Sequence, residues 1–163
     1  METTLKRHGF VTFWLWLGIV ANVISGPSSI LGYQNLKNLG FYGMQLISAG
    51  VDIDPYMSAI GTYATILQCV ALLAAVLLIV GYKKLLNWKK SGFILNAVTG
   101  VVSSIVNAAM IYLISQEYAK LGMILPTELQ SIIAPIGAVF SIFILWAILQ
   151  IKKDGVSCWS QLK

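Results

Sequence analysis

The sequence predicts an all-α integral membrane protein: a four-helix bundle, up-down-up-down, assembled from two similar helical hairpins in tandem. Three observations predict it. First, 58% of the 163 residues are hydrophobic and 10% are charged. A soluble domain carries about 25% charged residues, so this inventory cannot cover a fold with a water-facing surface. Second, four apolar stretches reach the roughly 20 residues needed to cross a hydrocarbon core. Third, the basic residues collect at alternate ends of those stretches, as the positive-inside rule requires of a multi-pass chain. The length suits one transmembrane domain covering residues 1–163.

The spans are predicted at about residues 9–31, 56–82, 92–115 and 131–151 by that length rule. The first follows Lys6, Arg7 and His8, and its apolar core at residues 10–24 has the outline of a signal peptide. The small residues beyond it, Ser25-Gly26-Pro27-Ser28-Ser29, offer no A-x-A cleavage site, so a retained helix is expected. The second span opens with Asp54 as its expected cap and Pro55 at its first helical position. It closes at Lys83 and Lys84. The turn at residues 83–90 is short, which makes the second and third spans antiparallel neighbours. Thr127 and Gln130 stand at capping-box spacing ahead of the fourth span, which closes at Lys152 and Lys153. Residues 32–55 carry Leu36, Leu39, Phe41, Met44 and Leu46, and suit either an interfacial stretch or a lid on the bundle.

Orientation follows from the charges. Lys6, Arg7, Lys83, Lys84, Lys89, Lys90, Lys152, Lys153 and Lys163, nine of the 11 basic residues, fall on one side. Lys37 and Lys120 fall on the other, with Asp52, Asp54, Glu117 and Glu128. The positive side belongs in the cytoplasm, with both termini. Trp14, Trp16, Trp88, Trp146 and Trp159 sit toward that side, and Tyr33, Tyr42, Tyr56, Tyr112 and Tyr118 toward the opposite one, so each interface has amphipathic anchors. Lys83, Lys84, Lys89, Lys90, Lys152 and Lys153 are the expected lipid-headgroup anchors, at about 1 kcal/mol each near an anionic surface. A net charge of +5 would suggest nucleic acid on a soluble fold. Flanking apolar spans, it points to lipid, and no nucleic-acid partner is expected.

The tandem reading rests on boundary strings. Lys6-Arg7-His8-Gly9-Phe10 opens the first span and Lys89-Lys90-Ser91-Gly92-Phe93 the third, while Lys152-Lys153-Asp154-Gly155-Val156 follows the fourth. The second and fourth spans each follow a Gly-to-Pro run, Gly50 to Pro55 and Gly122 to Pro126, and each ends in a lysine pair. Two hairpins of like orientation, related by an axis along the membrane normal, account for this. The same basic-x-Gly-Phe openings, and the ending Lys152-Lys153-Asp154-Gly155 followed by Trp159 and Leu162, resemble those of small four-span bacterial membrane proteins. That resemblance implies a bacterial cytoplasmic membrane and no particular activity.

Polar groups at depth are the candidate functional residues. At 1.5 Å per residue, Asn22, Gln68 and Asn107 lie about 22–26 Å from their basic anchors, close to the membrane midplane. Pro135 reaches a similar level and leaves a carbonyl one turn back without its usual donor. Asn22, Gln68 and Asn107, with Asn96 nearer the basic side, should face each other inside the bundle. They would serve as interhelical hydrogen bonds or as a pocket for a neutral or zwitterionic ligand. Small residues at four-residue spacing mark expected packing faces: Gly61, Thr65 and Cys69; Gly100, Ser104 and Ala108; Gly137 and Ser141.

Enzyme chemistry is not expected. His8 is the sole histidine, Cys69 and Cys158 are far apart, and no metal-ligand spacing, nucleophile–base arrangement or phosphate loop occurs. Asp52 and Asp54 form an acidic pair too poor in oxygen ligands for a cation. No ionisable side chain falls within a span away from its ends, as a proton-coupled carrier would need. No metal or cofactor is expected. The composition fits a non-enzymatic accessory, scaffold or immunity-type protein that acts through helix–helix or lipid contacts, with the bilayer and a membrane protein or a second copy as partners. The alternative is a small oligomeric transporter or channel with a polar midplane pocket.

Overall fold

The computed structural model of the chain describes residues 6–35, 45–123 and 128–163. It is mostly helical. Among the described residues four long helices follow in order: α1 (Gly9–Asn35), α2 (Asp54–Leu86), α3 (Ser91–Lys120) and α4 (Glu128–Leu149). The tail then folds as β1 (Lys152–Lys153), β2 (Val156–Ser157) and α5 (Cys158–Gln161). Among the described residues three helices, α1, α2 and α3, are long and apolar enough to cross a membrane. Helix α4 is 22 residues long, with an apolar stretch at Pro135–Leu149. Leu36, Leu39, Phe41 and Met44 of the segment before α2, together with Lys37, Tyr42 and Thr127, lie outside the described residues.

The helices run past the apolar windows that predict them, because their ends are set by backbone chemistry rather than by hydropathy. At the end of α3, Gly122 has a φ of +74° and Met123 N donates to Tyr118 O at 3.0 Å. This Schellman turn carries its customary apolar contact, Met123 against Tyr118. A helical turn at residues 45–48 ends the same way, with Gly50 at φ +78° and Val51 N on Leu46 O at 3.0 Å. The start of α2 corrects one expectation. Asp54 lies inside the first turn, Ile53 is at the cap position without a side-chain bond, and Asp52 Oδ1 accepts from Asp54 N at 3.1 Å. The capping carboxylate is therefore Asp52, and Asp54 complements the helix dipole from within.

Helix α2 is the centre of the packing: α1 lies on it, α3 lies on it, and α4 lies on α3. The α1–α2 pair runs antiparallel, with Gly18 against the Tyr82 ring and Gly26 against Ala75. The α2–α3 pair is tighter. A Cβ at Gly92 would strike Gly81 O and come within 2.8 Å of Leu85 N, and a Cβ at Gly81 would strike the Asn96 amide. Away from that crossing the same pair packs again through Ile60, Leu67, Ile114 and Tyr118. A second cluster, Val11, Leu15, Leu85, Leu145, Ile148, Leu149 and Cys158, joins α1, α2, α4 and the tail at the basic end.

The close approaches are thus at Gly18, Gly26, Gly81 and Gly92, and not at the predicted packing residues. A Cβ at Gly61, Gly100 or Gly137 would meet nothing within 4 Å. Thr65 and Cys69 are exposed. Ser141 is exposed too and its hydroxyl donates back to Gly137 O. Four-residue spacing marks a helix face but does not say which neighbour it meets. Within this chain Gly61, Gly100 and Gly137 make no close helix contact, while Ser104 lines an open cleft between α2 and α3.

Overpacking a tight crossing costs about 1–3 kcal/mol, more when only backbone could yield. Gly92→Ala and Gly81→Ala should therefore lower thermal stability in detergent by at least that much. Gly100→Ala should leave it unchanged or raise it by up to about 1 kcal/mol, the helix-propensity gain over glycine. Equal tolerance of both substitutions in a melting experiment would contradict the α2–α3 crossing.

Candidate functional site

Two places gather polar side chains: the basic end, where both ends of the described chain meet, and a cleft between α2 and α3.

The basic end is built on the way α2 stops. Trp88 N donates to Leu85 O at 3.1 Å and Lys89 N to Lys84 O at 2.9 Å, the two bonds of a Schellman turn. That turn needs a left-handed residue, and Trp88 supplies it at φ +61° where glycine is usual. The indole earns its place through contacts a glycine lacks. The Arg7 guanidinium lies 4.0 Å over the ring, and Arg7 Nη2 donates to Leu85 O at 2.7 Å and Leu86 O at 3.1 Å. A cation thus sits where the helix dipole is negative and the last carbonyls lack intrahelical donors.

The tail closes over this corner. Lys152 pairs with Ser157 and Lys153 with Val156, leaving Asp154 and Gly155 as a two-residue loop with φ values of +54° and +81°. Positive φ at both loop positions is the requirement of a type I′ hairpin, and Asp-Gly is a favoured pair for it. Ser157 then caps α5 by accepting from Ser160 N at 3.2 Å. Cys158 is buried in the basic-end cluster, and Trp159 meets Phe93 edge-on at 5.0 Å. Lys163 N donates to Trp88 O at 2.8 Å while Lys90 N donates to Lys163 O at 2.7 Å.

Residues ahead of α1 join as well. Lys6 N donates to Gln161 Oε1 at 2.8 Å, and Gln161 Nε2 returns a bond to Lys6 O at 2.7 Å. Lys6 Nζ lies 2.8 Å from Asp154 Oδ2. The hydrogen bond from Lys6 and its charge, with Lys153 nearby, hold the Asp154 carboxyl below the usual carboxylate range. Of the predicted anchors, Lys83, Lys89, Lys90, Lys152 and Lys153 are exposed here and Lys84 is half-buried. The string after α4 thus forms a hairpin, and Trp159 is a packed part of the basic-end core as well as the expected surface aromatic.

The cleft lies between the two α2–α3 contact zones. Leu67, Val70, Ala71 and Ala74 face Ser103, Ser104 and Asn107 around a volume of about 230 Å³. The alanines and serines leave it open because they are too short to meet across the gap. Asn107 is the one member of the predicted midplane trio that lines it. Asn22 is on α1 and donates to Gly18 O of its own helix at 2.7 Å. Gln68 is half-buried on α2, next to Leu67. Asn96, two turns nearer the basic end, is buried against Gly81, and among the described residues neither Nδ2 nor Oδ1 finds a partner. Among the described residues no group of three His, Cys, Asp or Glu side chains is placed to hold a metal. Comparison with protein-family models, with curated proteins and with solved structures finds no match for this chain.

Two outcomes follow from the basic end. Arg7→Ala should cost about 2–3 kcal/mol of stability, since charge-assisted bonds to two carbonyls and a ring contact disappear together. Arg7→Lys should recover only part of it, and full recovery in a melting curve would show that charge alone is needed. A lowered Asp154 pKa means its contribution is present above the ordinary aspartate value, about 4, and is lost as pH falls through the lowered one. Asp154→Asn keeps a residue suited to the hairpin loop and removes that titration. Its melting temperature should fall less than the wild type's on acidification below about pH 4.

Proposed function

We propose that the chain crosses a bacterial cytoplasmic membrane four times, through α1 to α4, with Lys6 and the tail in the cytoplasm. In this reading it acts without catalysis, as an accessory, scaffold or immunity-type protein working through contacts with lipid and with other membrane helices. One observation carries the proposal: the outward faces of the helices are bulky and apolar. Phe13 is 61% exposed, Phe140 66% and Phe143 64%, with Val76 and Ile94 both at 57%. Such surfaces are stable in hydrocarbon and not in water. Helix α4 has 22 residues, a rise of about 33 Å that suits a core about 30 Å thick. The unfilled faces at Gly61, Gly100 and Gly137 suit a helix from another chain, since small residues let backbones approach in lipid.

The second reading, a small oligomeric transporter or channel, is favoured by the cleft alone. Ser103, Ser104 and Asn107 give it polar walls, but its volume suits only a small neutral molecule. Asn22, turned onto its own helix, does not contribute to it.

Topology is tested with single cysteines in a Cys69→Ser, Cys158→Ser background and an impermeant maleimide. Lys120→Cys should label in intact cells and Lys153→Cys only after lysis. Labelling of both from one side would show that α4 does not cross and would end the four-span reading. Affinity purification in mild detergent addresses the role. A stoichiometric membrane partner is the expected result, whereas a lone homo-oligomer stabilised by a solute would transfer the weight to the transporter reading.

A further inference from the structure

The corner between α2 and α3 holds more positive charge than its surroundings answer. Lys83, Lys84, Lys89 and Lys90 all stand on it, and the Schellman bonds hold it rigid. Arg7 is engaged by the α2 carbonyls and the Trp88 ring, and Lys6 by Asp154. Among the described residues, the four corner lysines form no ion pair with a carboxylate. Lys90 Nζ instead lies 5.0 Å over the Trp159 ring, and Phe93 supports that ring from its edge.

Directly above Lys90 an apolar ridge begins. Ile94, Val98, Val102 and Ile105 are each more than half exposed and succeed one another up one face of α3. From Ile94 to Ile105 the rise is about 16 Å, close to half of a hydrocarbon core of about 30 Å, which is the reach of one leaflet's acyl chains. Corner lysines without a carboxylate partner among the described residues, an indole beneath Lys90 and a leaflet-long apolar ridge therefore stand in line.

We infer that this corner is a binding site for an anionic phospholipid. Its phosphate accepts charge-assisted hydrogen bonds from Lys89 and Lys90, its glycerol region lies at the level of Trp159, and an acyl chain follows the α3 ridge. A zwitterionic headgroup brings its own cation to the same lysines and is disfavoured. The inference rests on the membrane-spanning reading of α3 with this corner at the cytoplasmic surface.

The test is mass spectrometry of the intact protein released from nanodiscs of phosphatidylcholine containing a minority of phosphatidylglycerol. The wild type should retain phosphatidylglycerol in preference to phosphatidylcholine. Lys89→Gln with Lys90→Gln should reduce that preference by about fivefold per lysine. Lys152→Gln with Lys153→Gln, an equal change in charge at the same end, removes two surface anchors but not the corner and should reduce the preference by a clearly smaller factor. Equal retention of the two lipids, or an equal loss in the hairpin variant, would overturn the site. Displacement of retained lipid by excess glycerol 3-phosphate would also overturn it, by assigning the lysines to a soluble phosphate. Alkaline extraction of the membranes separates the two levels of failure. Protein that leaves with alkali refutes the spanning reading, and protein that stays but shows no lipid preference refutes only this site.

Discussion

The carbonyls that end α2 are the point on which the basic end depends. The last carbonyls of a helix have no intrahelical donors, and here Arg7 donates to two of them from outside the helix. That single side chain fixes the start of α1 against the end of α2. It also makes a tryptophan tolerable in a left-handed position, because the ring is the surface on which the guanidinium rests. With the corner held, its carbonyl at Trp88 and its amide at Lys90 are presented to the tail, which pairs with both through Lys163. The apolar cluster beneath, from Val11 to Cys158, is the interior that this arrangement encloses.

Much of the architecture was legible. Apolar length located the four helices to within a few residues of their windows, and the short turn at residues 83–90 required α2 and α3 to be antiparallel. The helix limits were less legible, since α2 and α3 continue through polar residues whose backbone bonds carry no hydropathy signal. The tail's hairpin is not among the expectations. Lys152-Lys153-Asp154-Gly155 stands out as a basic boundary string, and that likeness draws notice from the Asp-Gly pair, whose turn chemistry points to a hairpin.

Packing was the least legible part. Gly18, Gly26, Gly81 and Gly92 make the crossings, while the regular spacing at Gly61, Gly100 and Gly137 drew the expectation elsewhere. Which glycines meet a neighbour depends on how the helices are rotated, and one chain's sequence holds no direct record of rotation. The midplane trio divided in the same way. Depth is reckoned from the basic anchors, but depth does not give azimuth. Asn107 thus reaches the cleft and Asn22 turns to its own helix. Asn96, buried against Gly81 with its amide unmatched, shows how far shape governs here. Burying an unpaired amide costs about 1–3 kcal/mol, a cost borne where the crossing leaves room for one side chain and no partner.

The reciprocal bonds between Lys6 and Gln161 carry a consequence for biogenesis. The basic-end core takes residues from α1, α2 and α4 and from beyond α4, so its contacts span almost the whole length of the described chain. Contacts of such long sequence separation form late. During synthesis α1, α2 and α3 can pair through their glycine crossings, but the slot that receives Cys158 stays open until the tail has left the ribosome. Closure of that slot requires α1, α2 and α4 to be in place together, so the tail seals a core that only the assembled helices can form. A chain arrested before Cys158 would present an unfilled apolar slot, the kind of exposed surface by which incomplete chains aggregate or are recognised.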